Sequence, residues 1–281
     1  MRRFPRLTLW TIGTWLVLSF WSGVVRAELP FLLDLPATRA NSASIRYTPG
    51  SLDRASHVQA RLGFLVHDFG RWTGYKLPLH AYLLSRREWE AIGVRIPYGL
   101  PVRLPDGGLV LSAWGDAQMV ALWRDLLDGD LPALEGTPLR GTSEEASSLL
   151  GLDLLAQVEA ARTLVARAGF AAAEPKIHDL LAHTLAAGAF GRHEAARLDD
   201  IVTVFERLET AVIEDNSPNS ELRLLLRVQA RTFRAASRLL AARGEDGVKA
   251  LFKLAKKKDG ALDAPTLRKK FPEITDWLER R

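Results

Sequence analysis

The clearest pattern in the chain is an apolar stripe that recurs every three to four residues between Ser51 and Gly74. The stripe consists of Leu52, Ala55, Val58, Leu62, Leu65, Val66, Phe69 and Trp72. This spacing places apolar side chains on one face of an α-helix, with Ser51 as the N-cap and Gly74 as the stop signal. The sequence therefore predicts a long amphipathic helix over this range.

Strand-like segments flank this helix on both sides. They are residues 44–47, 79–84, 102–104 and 109–112. The last two enclose Pro105-Asp106-Gly107-Gly108, a turn sequence that is typical of a β-hairpin. Ser85 follows the second segment and is expected to begin a short helix. Residues 43–113 thus predict a small mixed layer of strand, helix, strand, short helix and hairpin.

Only helical spacing remains after Asp116. The predicted helices are 116–127, 143–168, 174–190, 197–214, 220–242 and 246–257, followed by a terminal piece that ends near Arg280. Gly169 and Pro218 support two of the boundaries, because glycine commonly ends helices and proline interrupts them. The chain therefore predicts an α+β fold, in which a small mixed β-sheet with a long helix packs on a C-terminal helical bundle.

The N-terminus predicts an export signal. A basic start at residues 2–6 precedes an apolar run that ends at Phe20, and Val25-Arg26-Ala27 offers small residues for cleavage. The alternative is an uncleaved anchor, because residues 10–25 approach the minimum of about 17 residues for a membrane helix. Both alternatives place the remainder outside the cytoplasm, so the protein is expected to be exported to a bacterial periplasm or secreted.

These patterns divide the chain into four parts. We expect a signal peptide over residues 1–27, a linker over 28–42, a small α/β subdomain over 43–127 and a helical subdomain over 128–281. Internal repeats and low-complexity tracts are absent from the sequence. At roughly 100–200 residues per domain, the length is expected to form one large domain or two intimate ones behind a targeting segment.

Charge supports export more than nucleic-acid binding. The 281 residues carry a formal net charge of +5, but four of the 38 basic residues and none of the 33 acidic ones lie in residues 1–27. The remaining excess lies near the C-terminus, and it includes a basic patch of Lys256, Lys257, Lys258, Lys269 and Lys270. Cations are favourable at helix C-termini, which explains such a patch as a solvated helix end. Contact with an anionic membrane surface is the alternative, whereas no nucleic-acid partner is expected.

Several chemistries are excluded by the sequence. Because the chain has no cysteine, it has no disulfide, no thiolate metal site and no cysteine nucleophile. It also lacks a Gly-x-Ser-x-Gly elbow, a glycine-rich phosphate loop and a dinucleotide-binding fingerprint. Trp72 and Trp89 lie beside apolar positions and are expected in the core, whereas Arg192 and His193 are expected in a solvated loop.

One helix carries a small cluster of potential metal ligands. Asp179 and His183 are four residues apart and could share a metal on one helical face. His178 and His183 are five residues apart and point in different directions, so they do not form a two-histidine zinc motif. Polar residues on the wet face of a helix are the alternative explanation for all three.

The order of elements resembles that of the exported peptidase-MA-like gluzincins, which are thermolysin-type zinc peptidases. The resemblance includes the strand and short helix of "AYLLSRREWEAIG" and the later "RTFRAASRLLAARGEDGVKALFKLAKK". In that family, the first helix after the hairpin carries His-Glu-x-x-His, and the next carries a glutamate as the third zinc ligand. The corresponding segments here are "LLGLDLLAQVEAARTLV" and "EPKIHDLLAHTLAAGAF". The resemblance implies a gluzincin-like fold over residues 43–281.

The same resemblance implies that the zinc site has degenerated. The two histidine positions fall on Asp153 and Gln157, the catalytic glutamate falls on Leu154, and the third ligand falls on Asp179. Zinc peptidases require neutral imidazoles and a carboxylate that takes the proton of the bound water, and leucine cannot accept a proton. In a second register Asp179 and His183 take the ligand positions, but a leucine again replaces the catalytic glutamate.

We therefore expect an exported, noncatalytic, gluzincin-like protein that acts as a binding or scaffolding module of the cell envelope without a cofactor. Its partner would be an extended peptide or an envelope protein segment, bound by strand addition in a cleft lined by Asp153, Gln157, Asp179 and His183. The alternative is a divalent-metal-dependent hydrolase, in which Asp153, Asp179 and His183 converge on a hard cation.

Overall fold

The structure is a computed structural model that describes residues 30–38, 42–92, 99–104, 107–114, 152–170, 174–193, 220–257 and 262–279. The predicted signal peptide and the predicted helices 116–127 and 197–214 lie outside the described residues. Within the described ranges, no helix is long and apolar enough to cross a membrane.

The predicted α+β class is confirmed. The first half contains α1 (Pro30–Asp34), β1 (Ala43–Tyr47), α2 (Leu52–Thr73), β2 (Leu79–Leu84), α3 (Arg86–Ala91), β3 (Val102–Arg103) and β4 (Leu109–Ser112). The second half contains α4 (Leu152–Arg167), α5 (Pro175–His193), α6 (Ser220–Lys257), α7 (Ala264–Lys270), a 3₁₀ turn (Pro272–Ile274) and α8 (Thr275–Glu279). The predicted type of element is therefore confirmed for β1 to β4 and for α2 to α6. Helix α1 was not predicted, and the single predicted terminal piece consists of α7, the 3₁₀ turn and α8.

The sheet has four strands in the order β1-β2-β4-β3. The β1–β2 and β2–β4 pairs are parallel, whereas β3 and β4 form the predicted antiparallel hairpin. One edge of the sheet is already occupied: Thr38 donates its N–H to the Ile45 carbonyl at 2.9 Å, and Tyr47 donates to the Pro36 carbonyl at 2.9 Å. The short hairpin strand β3 forms the other edge.

The prediction that residues 28–42 form an irregular linker was wrong for its described part. Pro30–Asp34 form α1, and the segment after it bridges to β1 through Ala37. Leu32 and Leu35 are buried, so this segment packs against the fold. The sequence prediction failed because the prolines and polar residues of this segment indicated a loop. The burial of Leu32 and Leu35 depends on tertiary contacts that the local sequence does not show.

Helix boundaries follow the glycine and capping signals. Gly74 adopts a left-handed conformation at φ 80° and donates its N–H to the Gly70 carbonyl, which ends α2 as predicted. Ser85 and Glu88 form a capping box at the start of α3. In α6, Gly244 leaves helical geometry at φ 58° and ψ −152°, so this long element consists of the two predicted helices joined at a break.

One continuous core joins the sheet to the helices. It contains apolar residues from β1, β2 and β4, from α2, α4 and α5, from α6 on both sides of Gly244, and from the C-terminal segment that includes α7 and α8. Helix α5 is central, since every described residue from Leu180 to Phe190 is buried. Gly188 permits its close contact with α2, because a Cβ at this position would lie 2.7 Å from Cη2 of Trp72. The two predicted subdomains therefore share a single core.

Candidate functional site

The residues at the predicted zinc-site positions are divided between α4 and α5. Leu154 and Gln157 are buried in α4, and His183 is buried in α5 with 1% of its surface exposed. Asp179 is half-buried near the start of α5. Asp153 lies in the first turn of α4, and its side chain is outside the described residues. Because Gln157 and His183 are buried, the prediction that they line an open cleft was wrong.

Arg162 of α4 is the centre of this region, although the sequence analysis did not identify it. Its side chain is buried, with 6% exposure, and its Nε donates to Oδ1 of Asp179 at 2.9 Å. Its Nη1 donates to Oε1 of Glu159, one turn earlier in α4. We call Glu159, Arg162, Asp179 and His183 the Arg162 cluster. The helical spacing of Glu159 and Arg162 was the only local signal that could have indicated it.

The two carboxylates keep the buried guanidinium charged. Burial alone would lower the pKa of Arg162, but Glu159 and Asp179 together raise the pKa above its ordinary value. One cation and two anions therefore meet between α4 and α5, and the Asp179 carboxylate already has a charged partner. This arrangement resembles a buried structural ion pair more closely than a free ligand for a metal.

His183 is neutral at physiological pH in this environment. Burial, and secondarily the positive charge of Arg162, lower the pKa of His183 to about 4. Its Nδ1 lies 2.8 Å from the Asp179 carbonyl oxygen, which can only accept, so Nδ1 carries the proton. The buried Nε2 atom has no hydrogen-bond partner among the described residues. His183 therefore adds no charge to the Arg162 cluster at physiological pH.

The geometry does not support the hard-metal alternative. Within the described ranges, no group of three histidine, aspartate or glutamate side chains could hold a metal ion. Asp153 is nine residues before Arg162 in α4, a distance of about 13 Å along a helix axis, whereas Asp179 contacts Arg162 directly. The buried guanidinium would also repel a cation placed beside Asp179.

A second ion cluster joins α2, α5 and α6. Asp68 of α2 is fully buried and accepts from Nη1 of Arg192 at 2.7 Å, and Nε2 of His193 lies 3.1 Å from its other oxygen. The His193 ring stacks on Phe64 with centroids 4.1 Å apart. Nε of Arg192 also lies 3.7 Å from Oε1 of Glu245 in α6. Arg192 and His193 are exposed as predicted, but the prediction of a loop was wrong, because α5 continues to His193 and both residues contact the buried Asp68 carboxylate.

A cavity of about 310 Å³ lies at one end of this cluster. Its lining comes from the end of α2, from Phe170 just after α4, and from the part of α6 that follows Gly244. The lining residues are Arg71, Trp72, Thr73, Phe170, Lys249, Phe252, Lys253 and Lys256. We call this feature the cationic cavity. Trp72 is buried as predicted, and it also lines the cationic cavity.

The described residues of the predicted basic patch lie on two helices, α6 and α7. Lys256 lines the cationic cavity, and its Nζ lies 4.9 Å from the centroid of the Tyr75 ring. Lys269 and Lys270 are exposed in the last turn of α7. The Lys257 side chain and all of Lys258 lie outside the described residues.

Comparison with models of protein families, with curated proteins and with solved structures found no match to this chain. The gluzincin-like family therefore stays a prediction from the sequence.

Proposed function

We propose that the protein is an exported, noncatalytic binding or scaffolding module of the cell envelope, with a gluzincin-like arrangement in which the zinc site has degenerated. The observation that carries this proposal is Arg162, whose buried guanidinium pairs with Asp179 at the position of the third zinc ligand. A cation between α4 and α5 is thus supplied by the protein itself.

The helix α4 residues at the predicted zinc-site positions also lack the groups that zinc peptidase chemistry needs. That chemistry uses ligands around an open coordination position and a carboxylate that activates water. Leu154 and Gln157 are buried among apolar neighbours, and neither can act as a base at neutral pH. A peptide that reached this region would therefore meet no activated nucleophile.

The partner we propose is an extended peptide or an envelope protein segment that adds to the sheet at β3. The β1 edge pairs with residues 36–38, whereas no segment among the described residues pairs with the outer side of β3, so β3 is the edge we propose for an added strand. Leu104 donates its N–H to the Gly108 carbonyl at 2.7 Å, so the alternation of an antiparallel pair turns the Arg103 backbone away from β4. Main-chain groups on such an edge can bind an extended segment.

Metal binding tests the noncatalytic part of the proposal. We expect calorimetric titration of the full chain with Zn²⁺ to show no stoichiometric binding tighter than about a micromolar dissociation constant. A variant with Asp179→Asn and His183→Gln serves as the control and should give the same result. Tight binding by the natural chain that this variant loses, together with chelator-sensitive peptide hydrolysis, would overturn the proposal.

Photo-crosslinking tests the partner. A photoreactive phenylalanine analogue in place of Arg103 should capture one defined segment of an envelope protein in cells, whereas the same analogue at exposed Ala60 of α2 should not. Arg103→Pro removes the outward N–H donor and is expected to abolish partner binding, while Arg103→Ala retains the donor and the binding. Equal capture at both positions, or no effect of proline, would contradict strand addition.

A further inference from the structure

The cationic cavity combines an apolar wall with an excess of positive charge. Three aromatic side chains, Trp72, Phe170 and Phe252, line it together with four cationic ones, Arg71, Lys249, Lys253 and Lys256. Its volume of about 310 Å³ falls at the lower end of the range for small-molecule sites. Apolar walls with a few convergent charges are the usual composition of a ligand site.

The four cations differ in how far acidic side chains neutralise them. Arg71 pairs with Glu245 at 2.9 Å, and Lys249 lies 3.3 Å from Asp246. Lys253 and Lys256 have no carboxylate partner among the described residues, and Lys256 instead lies over the Tyr75 ring. Among the residues that the structure describes, the positive charges of Lys253 and Lys256 are therefore not compensated by a carboxylate.

The aromatic residues of the lining are nearly buried. Trp72, Phe170 and Phe252 expose 6%, 2% and 1% of their surface, so a ligand would reach only their edges. Lys253 and Lys256 are exposed, and their side chains therefore contribute most of the lining that a ligand can contact.

We propose that the cationic cavity binds an amphipathic anion, a small molecule with an aromatic or aliphatic body and one carboxylate, sulfonate or phosphate group. The body packs against Trp72, Phe170 and Phe252, and the anionic group pairs with Lys253 and Lys256. This inference is independent of the proposed function, because the cavity shares no residue with the Arg162 cluster.

The alternative explanation is that the lysines of the cavity only stabilise helix ends. It accounts for the positions of the lysines but not for the cavity between them. Cations near the last turn of α6 and near the end of α2 are favourable with the negative ends of the helix dipoles. That explanation requires no cavity between the lysines and no aromatic side chains beside them. The two explanations therefore differ in what they predict for a ligand that has both a charge and an apolar body.

The test uses two fluorescent probes with similar aromatic bodies. The full chain is titrated with 1-anilinonaphthalene-8-sulfonate, which is anionic, and with N-phenyl-1-naphthylamine, which is neutral. We expect saturable binding of one sulfonate probe per chain, weakened at least about tenfold by Lys253→Glu, and little or no binding of the neutral probe. Lys269→Glu makes the same charge change on exposed α7 and should leave the affinity unchanged.

Competition experiments then identify the class of anion. Decanoate and phenyl phosphate are expected to displace the sulfonate probe, and the stronger competitor distinguishes a carboxylate from a phosphate ligand. Inorganic phosphate has no apolar body and should compete at least about tenfold more weakly. Near-UV circular dichroism establishes that both charge variants retain the native fold.

Three results would overturn the proposal. The first is the absence of saturable sulfonate-probe binding to the natural chain. The second is an equal loss of affinity in Lys253→Glu and Lys269→Glu, which would indicate general electrostatic attraction. The third is equally tight binding of the neutral probe, which would show that the charge in the cavity contributes nothing.

Discussion

The Arg162 cluster and the cationic cavity are both positively charged features between helices, yet they differ in burial and in charge balance. In the cluster, one buried guanidinium meets two carboxylates across α4 and α5. In the cavity, four cations line an opening, and the carboxylates of Glu245 and Asp246 reach two of them. Glu159 and Asp179 satisfy the charge of the first region internally, whereas the second region keeps two ammonium groups uncompensated by any described residue.

This difference in burial and pairing distinguishes two roles. The charge of Arg162 stabilises the fold, whereas the charges of Lys253 and Lys256 are available to bind a ligand. A buried cation must be paired, because leaving it alone in the interior costs several kcal/mol. Exposed cations need no partner and contribute little to stability. Mutations in the two regions should therefore affect different measurements, and four predictions examine this from the largest expected effect to the smallest.

Removing the charge of Arg162 is expected to have the largest effect. Arg162→Met keeps most of the side-chain volume but leaves Glu159 and Asp179 facing each other, which should lower the free energy of unfolding by about 2–4 kcal/mol in urea denaturation. This range allows for the partial exposure of both carboxylates. The matched change in the cavity, Lys253→Met, should stay within about 0.5 kcal/mol.

A companion variant tests the cause of that loss. Adding Glu159→Gln and Asp179→Asn to Arg162→Met removes the unpaired charges and should recover part of the stability. If Arg162→Met and Lys253→Met cost the same, the distinction between a structural and an available charge would not hold.

The neutral state of His183 should make the Arg162 cluster sensitive to acid. The pKa of His183 is lowered to about 4 in the folded chain and is about 6.5 when unfolded, so between these values the unfolded state binds the extra proton. The contribution is complete above pH 6.5 and is lost as the pH falls toward 4, by about 3 kcal/mol. Urea denaturation at pH 7, 5.5 and 4.5 should show a smaller pH dependence in His183→Gln. Parallel curves for the natural chain and the variant would contradict the assignment.

A change behind the cavity wall should have an intermediate effect. Gly188→Ala places a Cβ 2.7 Å from Cη2 of Trp72, which should cost about 1–3 kcal/mol in thermal or urea unfolding and displace a cavity-lining ring. Gly63→Ala is the matched control in α2, because its Cβ would lie 3.8 Å from the nearest side-chain atom. Removing a helical glycine there should stabilise by up to about 1 kcal/mol. Equal effects of both substitutions would indicate that Trp72 is not tightly packed.

The exposed lysines of α7 should have the smallest effect. Replacing Lys269 and Lys270 with alanine should change the free energy of unfolding by less than about 0.5 kcal/mol. We also expect unchanged sedimentation with vesicles that contain anionic lipid, since these lysines are explained by the end of their helix. A loss of vesicle binding that is greater at low salt than at high salt would instead support a membrane-anchoring patch.

The sequence predicted most elements because their signals are local. The stripe from Ala55 to Trp72 defined the buried face of α2, and Gly74 defined its end. The turn sequence before Leu109 predicted the hairpin, and the predicted helices 220–242 and 246–257 lie on either side of the break at Gly244. Each of these signals depends on the backbone preferences of a few neighbouring residues, which are the same in any tertiary context.

The candidate site was predicted less completely. Asp179 and His183 were identified from their spacing in one helix, but their chemical states depend on Arg162, which is 17 residues from Asp179. Asp68 was hidden within an apolar stripe, and its partner Arg192 is 124 residues away. No local pattern indicates which distant charge a buried carboxylate will meet.

The sequence by itself therefore determined the type and boundaries of most described helices and strands, the α+β class, and the absence of every cysteine-based chemistry. The tertiary structure alone decided that Asp179 pairs with Arg162, that Gly188 receives the Trp72 ring, and that three separate segments enclose the cationic cavity. Periodicity and capping are short-range properties of the backbone. Ion pairing and cavity shape instead depend on how whole helices pack, because Coulomb and van der Waals interactions act between neighbours in space, whatever their separation along the chain.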